Sequence, residues 1–194
     1  MQKLTAADLL SLERYARERE EFRRRAIAHR RARRLRIGEH CTLSFEDRLT
    51  IQYQVQEMLR AERIFEAAGI ADELEAYNPL IPDGHNLKAT MMIEYPEREE
   101  RVQRLAQLRG IERRCWLQVA GHAAVAAVAD EDLERETEEK TSAVHFVRFE
   151  FTPAMIAALR AGAALAAGID HPAYARRVED VGDQLRAELL RDFD

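Results

Sequence analysis

The strongest constraint on how this chain folds is a set of segments in which apolar residues recur at every second position. Leu87, Ala89, Met91, Ile93 and Tyr95 alternate with Lys88, Thr90, Met92 and Glu94, and His145, Val147, Phe149 and Phe151 share one parity. Successive side chains of an extended strand point to opposite faces, so each segment offers one face to a core and keeps a second, more polar one. Arg34 to Phe45 carries Leu35, Ile37, Leu43 and Phe45 around Gly38-Glu39 and reads as a hairpin or two short strands. Cys115 to Val128 reads as another hairpin, turning at Ala120-Gly121. Helices placed irregularly between such strands define the class as α+β: an antiparallel sheet of about four to six strands packed with several helices.

The helical segments follow from caps and from a 3.6-residue period. Thr5 caps a helix from about Ala6 to about Arg33, on which Leu9, Leu12, Tyr15, Arg19, Phe22, Ala26 and His29 share a face. Its first half docks on a core, and its arginine-rich end, within residues 1–36, projects into solvent or toward an acidic partner. Phe45 to Glu66 reads as a helix apolar on two sides, with Ile51, Val55, Met58, Leu59 and Phe65 on one and Leu49, Tyr53 and Ile64 on the other. Glu62 falls on the first side, so it is expected to be buried and paired. Gly69 reads as the C-cap of that helix, with a shorter helix over 71–76, and Tyr77 to Asn86 as an ordered loop or a mobile lid. Pro96 opens a helix to about Leu108, Thr152-Pro153 opens another that ends at Gly162 or Gly168, and His171-Pro172 opens the last, to about Leu190.

Composition limits the function classes. The 194 residues, 46% hydrophobic, suffice for one well-buried core and hence one domain over 1–194. A net charge of -5 is no global mark of a nucleic-acid binder, but the charge is unevenly placed. Arg23 to Arg36 holds eight arginines and no acid, and Asp130 to Glu139 holds seven acids and one arginine, so the two segments could pair within or between chains. No apolar run reaches the length of a membrane span and no signal peptide opens the chain, which points to a cytoplasmic protein with no membrane partner. Two cysteines, Cys41 and Cys115, exclude a disulfide framework and a four-thiolate zinc site, leaving two free thiols.

The strings EDRLTIQYQVQEMLRAERIF, AYNPLIPDGHNLKATMM, EEKTSAVHFVRFEFTPAMIAALRAGA and GIDHPAY resemble the bacterial domain-of-unknown-function family 3501, over nearly the whole chain to Tyr174. The resemblance implies bacterial origin and genes placed near those of rubrerythrin and iron–sulfur oxidoreductases, hence a link to peroxide or redox stress. It carries no catalytic residues.

Sites must therefore come from the residues. Glu62 and Glu66, one helical turn apart, could face one metal ion with His145, with His122, His85 or Cys41 as further candidate ligands, although no Glu-x-x-His or His-Glu-x-x-His is present. An arginine of the first helix, or Arg48, is the simpler partner for Glu62, and a hydrogen-bonded core histidine the simpler reading of His145. Asp83 and His85 in the proline-rich loop, with Asp170 and His171 in the later turn, could frame a pocket for a small molecule, though such residues also simply build turns. If Ser142 and His145 lie on one strand they have opposite parity and would not face one another as a nucleophile and its base. Arg30, Arg31, Arg33 and Arg34 are the contact residues for a protein partner or a second copy of the chain; without interleaved aromatics, nucleic acid ranks below these. The sequence requires no cofactor and leaves open whether the protein is an enzyme. The leading reading is an accessory or interaction protein.

Overall fold

The computed structural model describes residues 1–131, 135, 137 and 139–194. Its strands are β1 (Arg34–Ile37), β2 (Cys41–Phe45), β3 (Asn86–Ile93), β4 (Cys115–Val119), β5 (Val125–Ala126), β6 (Val128–Ala129), β7 (Val144–Glu150), β8 (Leu165–His171) and β9 (Tyr174–Val178). They form two antiparallel sheets where one was expected, in the orders β1-β2-β3-β7-β6 and β5-β4-β8-β9. The chain crosses between the sheets at Ala127, because β5 pairs with β4 and β6 with β7.

The alternation places the core as expected. Leu35, Ile37, Leu43, Phe45, Leu87, Ala89, Met91, Ile93, Val147 and Phe149 turn one face of the five-stranded sheet onto Cys115, Leu117, Val119, Leu165, Ala167 and Ile169 of the other. Three helices close this core: α4 (Arg98–Gln107), α5 (Pro153–Arg160) and α6 (Asp183–Leu189), numbered after α1 (Leu12–Ala32), α2 (Arg48–Glu62) and α3 (Ala67–Tyr77). A second, smaller core of Leu4, Ile51, Val55, Leu59, Leu74 and Ile81 joins α2 and α3 to the N-terminal segment. These elements lie over the polar face of the five-stranded sheet.

The helix apolar on two sides is packed on two sides. Ile51, Val55 and Leu59 enter the second core, while Tyr53 stacks on Phe22 of α1 at 6.0 Å between ring centres. Its C-terminal end departs from expectation. Arg63 adopts a left-handed conformation (φ 57°), its amide and that of Ile64 both bond to the Leu59 carbonyl, and the helix stops at Glu62. Glu62 is therefore exposed, and Phe65 is 69% exposed. The paired carboxylate between α1 and α2 is the half-buried Glu57, which accepts a fork of bonds from Arg19 (2.8 and 2.7 Å) and one from the Tyr15 hydroxyl (2.5 Å). Glu57 lies about 40° from Tyr53 around the helix, on the face that meets α1.

Three further expectations are corrected. The first helix begins at Leu12, after a short 3-10 turn at Ala6–Asp8, and its arginine-rich end does not simply project. Arg33 is 1% exposed, paired with Asp192 and donating to the carbonyls of Phe45, Glu46 and Glu188. Gly69 lies inside α3 rather than capping α2. Residues 165–178, expected to end one helix and begin another, form the β8–β9 hairpin around Pro172-Ala173, with His171 paired to Tyr174. Alanine favours helix by propensity, but here small residues are demanded by packing: a Cβ on Gly168 would fall 2.2 Å from the ring of Trp116, its cross-strand partner.

Candidate functional site

The roof over the polar sheet face is fixed by side chains bonded to backbone. The Asn78 amide accepts from the Leu4 amide (2.8 Å) and donates to the Leu4 carbonyl (2.9 Å). Lys3 donates to the Ile81 carbonyl (2.7 Å) and to Asp83 (2.6 Å), and Lys88, rising from β3, donates to the Pro79 carbonyl and to Asp83 (2.7 Å each). The proline-rich loop is thus the ordered alternative of the two foreseen. Burial alone would raise Asp83, but hydrogen bonds from Lys3, Lys88 and Asn86 outweigh it and hold the carboxyl well below the usual carboxylate range. Burial pulls Lys88 down, with Asp83 opposing.

Two adjoining cavities open between roof and sheet, sharing Leu80 and Phe146 in their walls. The larger, about 570 Å³, is bordered by Asp83, His85, Lys88, Arg148 and Glu150. Its charges are largely satisfied, since Arg148 also grips Glu131 through two bonds (2.7 and 2.8 Å). The smaller, about 410 Å³, has apolar walls from Ile51, Leu80, Met92, Val144 and Phe146, polar groups from Ser44, Glu46 and Thr90 on the sheet, and Gln54 and Tyr77 on the roof. Glu46 is 4% exposed and Ser44 2% exposed, yet Glu46 Oε2 and Ser44 Oγ have no hydrogen-bond partner. Glu46 Oε1 accepts from the Thr90 hydroxyl (2.7 Å), while Oε2 stands 3.9 Å from the Arg30 guanidinium, beyond hydrogen-bond reach.

Strand register explains how sequence builds this floor. Arg34 opposes Ser44, Ser44 opposes Thr90, and Thr90 opposes Phe146. A single row across four strands therefore runs cation, hydroxyl, hydroxyl, aromatic. These are the residues of opposite parity to the core series, and alternation alone marks them only as the polar face.

The expected site residues are distributed differently. Asp83 and His85 do border one cavity, whereas Asp170 and His171 lie on the other sheet. His171 accepts from the Ala173 amide at Nδ1 (3.2 Å), so Nε2 carries the proton and donates to the Arg109 carbonyl (3.0 Å). Glu62 and Glu66 are exposed, and neither is a partner of His145. Among the described residues no group of three His, Cys, Asp or Glu side chains is arranged to hold a metal ion. Arg30 and Arg34 edge the smaller cavity, Arg31 is exposed, and Arg33 is buried.

His145 is fully buried, with Nδ1 bonded to Asp130 (2.6 Å) and Nε2 between the Thr141 hydroxyl (2.9 Å) and the Ser142 carbonyl (3.0 Å), which can only accept. The hydroxyl partner is Thr141; the Ser142 hydroxyl instead accepts from the Val144 amide (3.1 Å). Carboxylate, imidazole and hydroxyl are in the order of an acyl-transfer triad, but Thr141 is 1% exposed and the set serves packing. Two acids of the acidic segment meet β7: Asp130 binds His145 and Glu131 binds Arg148. Asp132, Leu133, Glu134, Glu136 and Glu138 lie outside the described residues. Burial pushes the Cys41 thiol up to about 12 and Cys115 well above its ordinary value, so neither is an activated thiolate.

The family model described as "Protein of unknown function (DUF3501)" matches residues 3–193. The chain belongs to this family. It is also similar to a novel protein of unknown function from Burkholderia pseudomallei K96243, known from a crystal structure at 1.90 Å resolution. The two are 52% identical with a TM-score of 0.92, and the match covers 100% of each chain. No curated protein matches the chain. Among the described residues, no helix is long and apolar enough to cross a membrane.

Proposed function

We propose that this DUF3501 protein binds a small organic molecule in the cleft between the polar face of its five-stranded sheet and the α2–α3 roof. One observation carries the reading: two buried polar atoms, Ser44 Oγ and Glu46 Oε2, have no hydrogen-bond partner, and their residues border a cavity of about 410 Å³. Buried polar groups left unsatisfied are costly, and a concave, largely apolar cavity with a few convergent polar groups is the usual form of a ligand site. The accessory role in peroxide or redox stress, implied by the resemblance, is the physiological setting of this proposal. A fragment mixture titrated into isotope-labelled protein tests the reading. Shifts should centre on Ser44, Glu46, Thr90 and Phe146 and vanish in Leu80→Trp, which fills both cavities. No shifts, or shifts confined to other surfaces, would overturn it.

Self-association through α1 is a second proposal. It is supported by Ile27, 38% exposed, one turn from the exposed Arg31. Sedimentation should show a concentration-dependent dimer that Ile27→Ser abolishes; a monomer at all concentrations would remove the idea.

A further inference from the structure

We infer that the smaller cavity is built for the zwitterionic head of an α-amino acid with a large apolar side chain. This inference rests on the small-molecule reading and adds the ligand's chemical class. Two floor atoms are left without hydrogen-bond partners: the buried carboxylate oxygen Glu46 Oε2, which only accepts, and the buried hydroxyl Ser44 Oγ, which accepts as well as donates, so both can take a bond from an ammonium group. The rim supplies the opposite charge. Arg30 and Arg34 edge the cavity with side chains 37% and 41% exposed, and each guanidinium stands 3.9 Å from its nearest carboxylate, Glu46 and Glu94 respectively. Neither of those pairs is a hydrogen bond, so a ligand carboxylate can engage the guanidinium donors without breaking one.

Spacing selects the class further. Glu46 Oε2 and Arg30 are 3.9 Å apart, and Arg34 lies directly across from Ser44 in the β1–β2 register. Acceptor and cation are thus close enough to meet an ammonium and a carboxylate borne on one carbon, whereas a long ω-amino acid would have to fold back on itself. Beyond Thr90 the row continues to Phe146, with Met92 and Val144 paired in the next row. That apolar end suits an aromatic or branched aliphatic side chain, and the volume of about 410 Å³ accepts a ligand of that size.

Three probes that share a phenyl ring separate the charges: L-phenylalanine, phenethylamine and 3-phenylpropanoate, measured by calorimetry. L-Phenylalanine should bind most tightly. Glu46→Gln should weaken L-phenylalanine and phenethylamine by about tenfold or more and leave 3-phenylpropanoate unchanged. Arg30→Gln with Arg34→Gln should do the reverse, weakening L-phenylalanine and the acid while sparing the amine. Ser44→Ala, a smaller perturbation of the fold, should weaken the two amines if Glu46→Gln fails to fold. Equal binding of amine and zwitterion, or binding indifferent to both Glu46 and Ser44, would overturn the inference. If none of the three binds while other fragments still shift the cleft resonances, the amino-acid class fails and the small-molecule reading stands; if nothing shifts the cleft, both fail.

Discussion

At the scale of single residues, the most consequential is Arg33. It sits among the arginines of a basic segment, yet it is 1% exposed and ties α1 to the end of β2, to α6 and to Asp192. Burial pushes the Asp192 carboxyl up to about 6, and Arg33 opposes that rise. Removing one partner of a buried pair leaves the other uncompensated, so Arg33→Met should destabilise the protein by about 3–5 kcal/mol in denaturant unfolding. Adding Asp192→Leu should recover part of that loss; a double variant as unstable as the sum of both singles would contradict the coupling. Local sequence gives no sign of this, because one arginine among eight is distinguished only by what the fold brings to it. Glu62 is the converse case. Its position on an ideal helix puts it among apolar residues, but the helix ends there, and a left-handed arginine is a rare way to end one.

At the scale of elements, α2 organises the roof through its polar as well as its apolar side chains. Gln56 is fully buried, accepts from the Leu10 amide (2.5 Å) and donates to the Leu10 carbonyl (3.3 Å), while Gln52 donates to the Asp8 carbonyl (2.6 Å). These bonds hold the extended stretch that interrupts the first helix at Leu9–Ser11. Gln56→Ala should strip two backbone groups of their partners, costing about 1–3 kcal/mol and accelerating amide exchange across residues 4–11. Unchanged exchange there would show that other contacts hold the segment. The strands whose alternation is strict, β3 and β7, were legible from sequence in both place and facing. The β8–β9 hairpin was not, because its alanines and glycines are chosen by the bulk of Trp116 opposite and not by strand propensity.

At the scale of the whole molecule, two cores lie on either side of one sheet, and the cleft exists because the second core covers a polar face incompletely. The Lys3–Asp83–Lys88 cluster fastens that cover, with bonds reaching from the N-terminus to β3. Asp83's folded-state carboxyl is held below its unfolded value of about 3.9, so its contribution to stability is present above that pH and lost as pH falls below about 4. Wild type should therefore lose more stability than Asp83→Asn on acidification from about pH 5 to pH 2; parallel curves would exclude the cluster as a fastening. By itself, the sequence determined the α+β class, the strands that alternate and which of their faces is buried, since these follow from local periodicity and solvent exclusion. Only the tertiary structure decided that there are two sheets, that Arg33 is internal and Glu62 external, and that Ser44 and Glu46 face a cavity. Those outcomes depend on residues far apart in the chain, and a burial or a missing partner is a property of the surroundings that no single segment carries.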